Sequence, residues 1–284
     1  MKVVVTGASG LLGEEIADFF SEENDVIALK GRKQIDITKT DEIFYFLKEI
    51  NPDLIIHSAG WRAVDDCEKN KEQALLINSL GTKNIALAAK SIGCPMIHIS
   101  TDSVFDGETD KPYTEFDSLK PVNVYGYSKL KAEESVISIL DKYFIVRVPI
   151  LFGNKGKKED NLILNVWDKI ERGEKIYAAL DQVCSPTYTR DVAYVLSKMA
   201  KTEYYGVYHV ANEGVGSRYD LMKEIAEIKG YSSENIIPYN SEMKYAKRPK
   251  FTVFNGIAFY NTFGIKLRDW KIALKECIES ISKS

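Results

Sequence analysis

Apolar and polar positions follow two periods along this chain, and the switches between them predict its elements. Val3, Val4 and Val5 form a continuous β-branched run, which suits a strand buried on both faces. From Leu11 onward the period changes: Leu12, Ile16, Phe19 and Phe20 recur at helical spacing. The same exchange repeats, with strands expected over 25–29, 53–57, 96–100 and 143–148. Helices are expected over 43–50, about 72–91 and about 123–140. The long second helix carries Ala74, Ile77, Leu80, Ile85, Ala88 and Ala89 as its apolar stripe, interrupted by Asn78, which reads as a solvated or core-bonded amide. Alternating strands and helices argue an α/β fold with a doubly wound parallel sheet. Beyond Phe152 the pattern loosens. The stretch 153–160 reads as a loop, helices fit 162–172, 190–200, 217–229 and 269–281, and short strands such as 207–210 lie between them. Residues 1–150 are expected to form a nucleotide-binding domain. Residues 151–284 are expected to form mainly a second, smaller mixed α/β substrate lobe, with some segments returning to the first domain.

The turn between the first strand and helix carries Gly7, Gly10 and Gly13. Gly7 allows a tight turn, Gly10 leaves room for a pyrophosphate, and Gly13 lets helix and strand approach. The helix N-terminus offers free N–H groups and partial positive charge to phosphates. Strand, glycine turn and helix in this order point to a dinucleotide, with Ser9, Leu11 and Leu12 completing the turn. An NAD site of this type ends its second strand in an acidic residue. Here that place holds Lys30, Gly31, Arg32 and Lys33, so the charge favours NADP, with NAD the alternative and a solvated basic loop the plain reading. Asp36 and Ile37 follow, and the third strand ends in Ser58, Ala59 and Gly60, small residues that let a cofactor approach the backbone. Trp61 and Arg62 beyond them either line the cleft or cover the cofactor.

Composition narrows the function classes. A formal net charge of −3 gives no general attraction to nucleic acid or to an anionic membrane. No apolar run reaches the length of a membrane span, and the chain opens on a strand without an export signal, so a cytoplasmic protein is expected. Cys67, Cys94, Cys184 and Cys277 are scattered without metal-ligand spacing and read as reduced thiols. His57, His98 and His209 sit among apolar neighbours and read as core residues, so no metal is expected.

Tyr125 and Lys129 are four apart on an expected helix and share one face. A tyrosine hydroxyl has an ordinary pKa near ~10. An ammonium about 4 Å away, at an effective dielectric of about 20, is worth as much as ~4 kcal/mol. That would bring the phenol ~3 units toward the useful range for acid–base chemistry. Thr101 stands at the carboxyl end of the fourth strand, where a hydroxyl can hydrogen-bond a substrate carbonyl. Tyr127 lies two residues from Lys129 and would face away. The catalytic set expected from residues alone is therefore Thr101, Tyr125 and Lys129, with Lys129 also placed to hold a nicotinamide ribose.

With these marks the chain resembles the extended short-chain dehydrogenase/reductases, and among them the dTDP-4-dehydrorhamnose reductase family. The resemblance rests on Gly7–Gly13, Asp36-Ile37-Thr38, Ala63-Val64-Asp65, Ser100-Thr101-Asp102 with Val104-Phe105-Asp106-Gly107, and Val124-Tyr125-Gly126 through Lys129-Leu130. Asp181-Gln182, Ser185-Pro186-Thr187, Tyr208-His209 and Lys247-Arg248-Pro249-Lys250 extend it to the end of the chain. It implies an NAD(P)-binding Rossmann domain, a sugar-nucleotide lobe, and hydride transfer to C4 of dTDP-4-dehydro-6-deoxy-L-mannose. It also implies Tyr125 as proton donor and Arg248 at the nucleotide diphosphate. The partner implied is a small-molecule sugar nucleotide, with a homodimer allowed.

Two positions depart from the family pattern. Ser103 stands where an aromatic usually follows Thr-Asp, and Ile150 stands where a tryptophan would pack on the sugar. Losing an aromatic platform removes contact energy at the substrate. Ser103, Ile150, Asp102 and Arg248 make the expected substrate set. The stretch Arg147-Val-Pro-Ile-Leu-Phe-Gly153 is also similar to methionine adenosyltransferase regulatory β subunits, which bind NADP without chemistry. A non-catalytic regulatory subunit and a sugar-nucleotide epimerase are thus the alternatives to a reductase. Cys184 reads as an inert small residue, Lys155–Lys158 as a solvated loop, and Ser217 as a helix N-cap.

Overall fold

Val3, Val4 and Val5 are fully buried in a computed structural model that describes residues 1–158 and 161–282. They form β1 (Lys2–Thr6), which pairs in parallel with β2 (Asp25–Leu29) on one side and β3 (Leu54–His57) on the other. A strand covered on both faces must be apolar throughout, and each such side chain contributes roughly 1.5–3 kcal/mol by leaving water. β4 (Met96–Thr101) and β5 (Tyr143–Val148) continue the sheet. The sixth strand comes from much later in the chain. It is β10 (Gly206–His209), in parallel register with Phe144–Arg147 of β5. The order is β2-β1-β3-β4-β5-β10, so the chain reverses its direction of travel between β1 and β3. Ligands of doubly wound sheets bind at the carboxyl edge of such a switch point.

Helices cover both faces. α1 (Leu11–Ser21) packs on the sheet through Leu12, Ile16 and Phe20, in one core with residues of α8 (Thr189–Met199). α2 (Thr40–Ile50) and α5 (Gly81–Ile92) cover the other face with α6 (Val124–Ile139), around Ile43, Leu47 and Ile85. Gly13 is fixed by the approach of α1 to the turn before it. A Cβ there would lie 2.1 Å from the Gly7 carbonyl oxygen, and backbone cannot give way as a flexible side chain can.

One expected helix is broken. The periodicity over 72–91 predicts continuous α-helix, but the chain forms α3 (Val64–Lys69), α4 (Lys71–Ala74), a π-helical turn over Leu75–Leu80, and then α5. The cause is Asn78. Its buried amide accepts from the Trp61 N–H at 2.6 Å and donates to the Trp61 carbonyl at 3.0 Å and to Ser128 Oγ at 2.9 Å. An extra residue in that turn brings the amide round to meet the loop after β3, a placement typical of π-turns beside functional sites.

The remaining elements build the second layer. β6 (Leu151–Phe152) pairs with β9 (Thr187–Tyr188), and β7 (Ile176–Ala179) with β12 (Ile236–Tyr239). β8 (Val183–Cys184) pairs with β11 (Gly216–Ser217), and the latter leads into α9 (Arg218–Ile228). α7 (Leu162–Glu171), α9 and α11 (Trp270–Ile281) close around Trp167, Ile225 and Trp270. α10 (Ile257–Phe263) returns to the main sheet beside β10. Of the loop expected over 153–160, Glu159 and Asp160 lie outside the described residues. Its described part is fastened to α1, with Lys155 paired to Asp18 at 2.5 Å and the Gly156 N–H donating to Glu14 at 2.8 Å. Among the described residues no helix is long and apolar enough to cross a membrane.

Candidate active site

β4 delivers Thr101 to the carboxyl edge of the sheet, and α6 begins where the chain returns to that edge. Asn123 caps α6: its carbonyl oxygen accepts from the Gly126 N–H at 2.8 Å, and its amide donates to the Lys247 carbonyl at 2.9 Å. The helix start therefore holds the later segment that carries Arg248. Gly126 allows the contact that matters most. A Cβ there would fall 2.0 Å from the Ser103 carbonyl oxygen, so only glycine lets α6 seat against the turn after β4. This seating brings Tyr125 beside Thr101, and the two line the same cavities. Thr101 Oγ1 also accepts from the Ser103 N–H at 3.2 Å and donates to Asp102 at 3.1 Å. Asp102 in turn accepts from Thr252 at 2.7 Å.

The electrostatics differ from the expectation drawn from helical spacing. Burial pushes the Tyr125 phenol up to about 12; the neighbouring Thr101 hydroxyl opposes that rise, the Asp102 charge adds to it, and Arg62 offsets part of it. Lys129 shares the helix face but turns its amine into the sheet. Nζ donates to the Ile99 carbonyl at 2.7 Å and meets His98 Nε2 at 3.2 Å. A buried ammonium needs hydrogen-bond acceptors, and the β4 backbone supplies one. Burial brings Lys129 down to about 8, against the opposing charge of Glu133. The ammonium is thus held by β4 rather than directed at the phenol, and the phenol is not made acidic.

Three cavities run along this edge. One of about 360 Å³ is lined by Arg32, Asp36 and Ile37 after β2 together with Trp61, Gln73 and Ile77. The central cleft, about 570 Å³, is lined by Gly7 and Ser9–Gly13 together with Thr101, Tyr125, Lys129 and Ile150. Ala59 and Gly60 line both of these. A smaller cavity of about 220 Å³ is lined by Asp102, Ser103, Ile150 and Arg248. Thr101 and Tyr125 are shared by the second and third, so the phenol stands where a long cleft meets a side pocket. Lys30 is exposed and lines none of them. Arg32 is also exposed, but its Nε lies 3.4 Å from Asp36 at the mouth of the first cavity.

Periodicity and motif spacing do not point to several of the lining residues. Gln73 at the end of α4 and Ile77 within the π-turn both line the first cavity, and periodicity does not show that turn. Arg218 lines both the cleft and the side pocket, although the sequence pattern marks only Ser217 before it, as a cap. Ser217 does cap α9, in a reciprocal pair with Asp220. Arg218 does carry a signal of its own: a cation in the first turn of a helix opposes the helix dipole, and so points to a use elsewhere. Cys184 also lines the side pocket, with its thiol pushed well up by burial.

A family model described as the RmlD substrate binding domain matches residues 1–283. The spore coat polysaccharide biosynthesis protein SpsK of Bacillus subtilis is 33% identical over 100% of this chain and 99% of its own. A dTDP-4-dehydrorhamnose reductase of Mycolicibacterium smegmatis is 31% identical over 99% of this chain and 86% of its own. Among solved structures, the dTDP-4-dehydrorhamnose reductase of Bacillus anthracis in complex with NADP superposes with a TM-score of 0.93 at 33% identity, covering 98% of this chain and 99% of that one. The UDP-glucose 4-epimerase of Thermus thermophilus in complex with NAD reaches a TM-score of 0.85 at 17% identity, covering 100% of both chains, which is a likeness of fold alone.

Proposed function

The chain belongs to the RmlD, or dTDP-4-dehydrorhamnose reductase, family of the extended short-chain dehydrogenase/reductase fold, and on that premise we propose that it reduces the ketone of a 4-keto sugar nucleotide with NADPH, Tyr125 acting as the acid. The observation that carries this reading is the position of Tyr125, which lines both the cleft and the side pocket together with Thr101 at their junction.

The residues of the cleft fit a dinucleotide. The N-cap of α1 is Gly10, which makes no side-chain cap, so the helix N-terminus is open to an anion. Gly7 and Gly13 bring backbone against backbone and leave the turn without side chains of its own to fill the cleft. In this reading Gly7, Ser9–Gly13 and Ala59–Gly60 hold the pyrophosphate and ribose, and Asp36 and Ile37 flank the adenine end. Lys129 and Tyr125 hold the nicotinamide side. The bound cofactor supplies a hydride. Thr101 hydrogen-bonds the substrate carbonyl oxygen, and Tyr125 delivers its proton to that oxygen as the alkoxide forms. Asp102, Ser103, Ile150 and Arg248 border the sugar nucleotide. The test is loss of NADPH absorbance with a panel of 4-keto sugar nucleotides that includes dTDP-4-dehydro-6-deoxy-L-mannose. Turnover with net consumption of NADPH supports reduction over epimerisation. Tight NADPH binding with no turnover across the panel sinks the proposal.

The preference for NADP rests on Arg32. Its side chain is 58% exposed at the adenine end, and its present partner, Asp36, lies at 3.4 Å, a loose pair that a phosphate can displace. Arg32→Ala is expected to weaken NADPH binding about 10-fold, the value of one charge-assisted hydrogen bond, and to leave NADH binding unchanged. Fluorescence titration of both cofactors reads this directly; an equal loss for the two would assign Arg32 no part in the preference.

A further inference from the structure

Three arginines, Arg62, Arg218 and Arg248, line the side pocket next to Tyr125. Arg248 already has an anion: its Nη2 lies 3.1 Å from Asp65, and its Nη1 donates to the Ala246 carbonyl at 2.7 Å. Arg218 differs. Among the described residues no carboxylate stands within ion-pair distance of its guanidinium and no acceptor hydrogen-bonds it. Burial works against its charge, and Arg248 adds repulsion. It is also the first residue of α9, where the helix dipole disfavours a cation. Three unfavourable terms on one side chain, offset in part by the Asp102 charge but by no ion pair or side-chain hydrogen bond among the described residues, mark a group kept for an anionic ligand.

Resting on the reductase reading above, we infer that Arg218 is a specificity-determining residue, which holds the diphosphate of a nucleoside-diphosphate sugar in the side pocket. Its position favours the substrate over the cofactor. The cofactor's phosphates have the glycine turn and the open end of α1, which line the cleft but not the side pocket. The groups acting on Arg218 are instead Cys184, Tyr239, Arg248 and Asp102, all outside that turn. Ile150 and Ser103 leave Tyr125 as the one aromatic side chain among the described lining, so charge carries more of the binding here. A guanidinium fork suits a diphosphate, which offers paired oxygens in one plane.

The experiment measures binding of dTDP, UDP, the nucleosides thymidine and uridine, and NADPH by titration calorimetry. The proteins are wild type, Arg218→Met, Arg218→Lys and Arg248→Met. Arg218→Met is expected to weaken both diphosphates about 10- to 100-fold, with NADPH affinity and the unfolding midpoint as in wild type. Arg218→Lys recovers part of the loss by keeping the charge without the fork, and it answers the question should the Met variant fold poorly. Arg248→Met loses less than Arg218→Met, and the nucleosides do not distinguish the proteins. Undiminished diphosphate binding in both Arg218 variants overturns the inference, as does a wild type that binds neither diphosphate. A matching loss of NADPH overturns it too, by assigning Arg218 to the cofactor. A wild type that binds diphosphates through Arg218 but reduces no 4-keto sugar supports this inference and overturns the reductase reading alone.

Discussion

Tyr125→Phe is expected to lower kcat about 100- to 10,000-fold, the usual contribution of a positioned general acid, with NADPH affinity nearly unchanged. The ring stays in place on α6, and only the hydroxyl beside Thr101 is removed. The phenol has been pushed up to about 12, so it remains protonated across the neutral range and is always ready to donate. An acid this weak still serves, because the alkoxide it meets is a far stronger base. The group that titrates near neutrality is the neighbour: Lys129, brought down to about 8. In the wild type, kcat/KM for ketone reduction is therefore expected to stay level up to about pH 8 and to fall above it, as Lys129 loses the charge proposed to hold the nicotinamide ribose. Lys129→Met, assayed over the same range, is expected to be slower and to show no such break. A break that persists in Lys129→Met belongs to another group. Full activity in Tyr125→Phe removes the phenol from the chemistry and assigns the proton to another donor.

How far the amino-acid sequence alone reveals these features depends on how local the cause of each one is. β1, the glycine turn and α1 lie within about one strand–helix unit, and the change of period across three glycines contains the whole of their geometry. Tyr125 and Lys129 fall on one helix face because four residues make about one turn, and Asn123 caps that helix with its own side chain. The direction of the Lys129 amine is not legible in this way, because its acceptors, Ile99 and His98, lie 30 and 31 residues away on β4. The π-turn is hidden for the same reason: Asn78 turns inward to meet Trp61, and that meeting exists only after β3 and α5 have packed. The strand at 206–209 is visible as a strand, but its place at the edge of the main sheet depends on Phe144–Arg147 of β5. Arg218 stays hidden because a helix start reads as a cap unless the sign of its charge is weighed against the dipole. Spacing along one element is legible, and the far end of a long polar side chain is not.

Glu133→Ala is expected to destabilise the fold by about 3–5 kcal/mol, the cost of stranding a buried charge. Glu133 and Arg147 are 1% and 3% exposed. Arg147 donates Nη2 at 2.7 Å and Nε at 3.0 Å to the carboxylate, and Ser100 Oγ donates to it from β4. His209 on β10 lies 3.3 Å from Arg147 Nη1. One carboxylate thus joins α6, β4, β5 and β10 directly beneath Thr101 and one helical turn beyond Lys129. Removing it leaves a guanidinium in the sheet with only a neutral histidine, since burial and the Arg147 charge hold His209 well below its ordinary value. The double replacement Glu133→Met with Arg147→Met removes both charges, and is expected to recover most of the loss in a urea unfolding midpoint. Equal losses in the single and double variants would show that packing, not the stranded charge, sets the cost. The double variant also carries an effect at the site. Glu133 holds Lys129 up against burial, so without it the lysine titrates lower still, and the break in the pH profile moves below about 8.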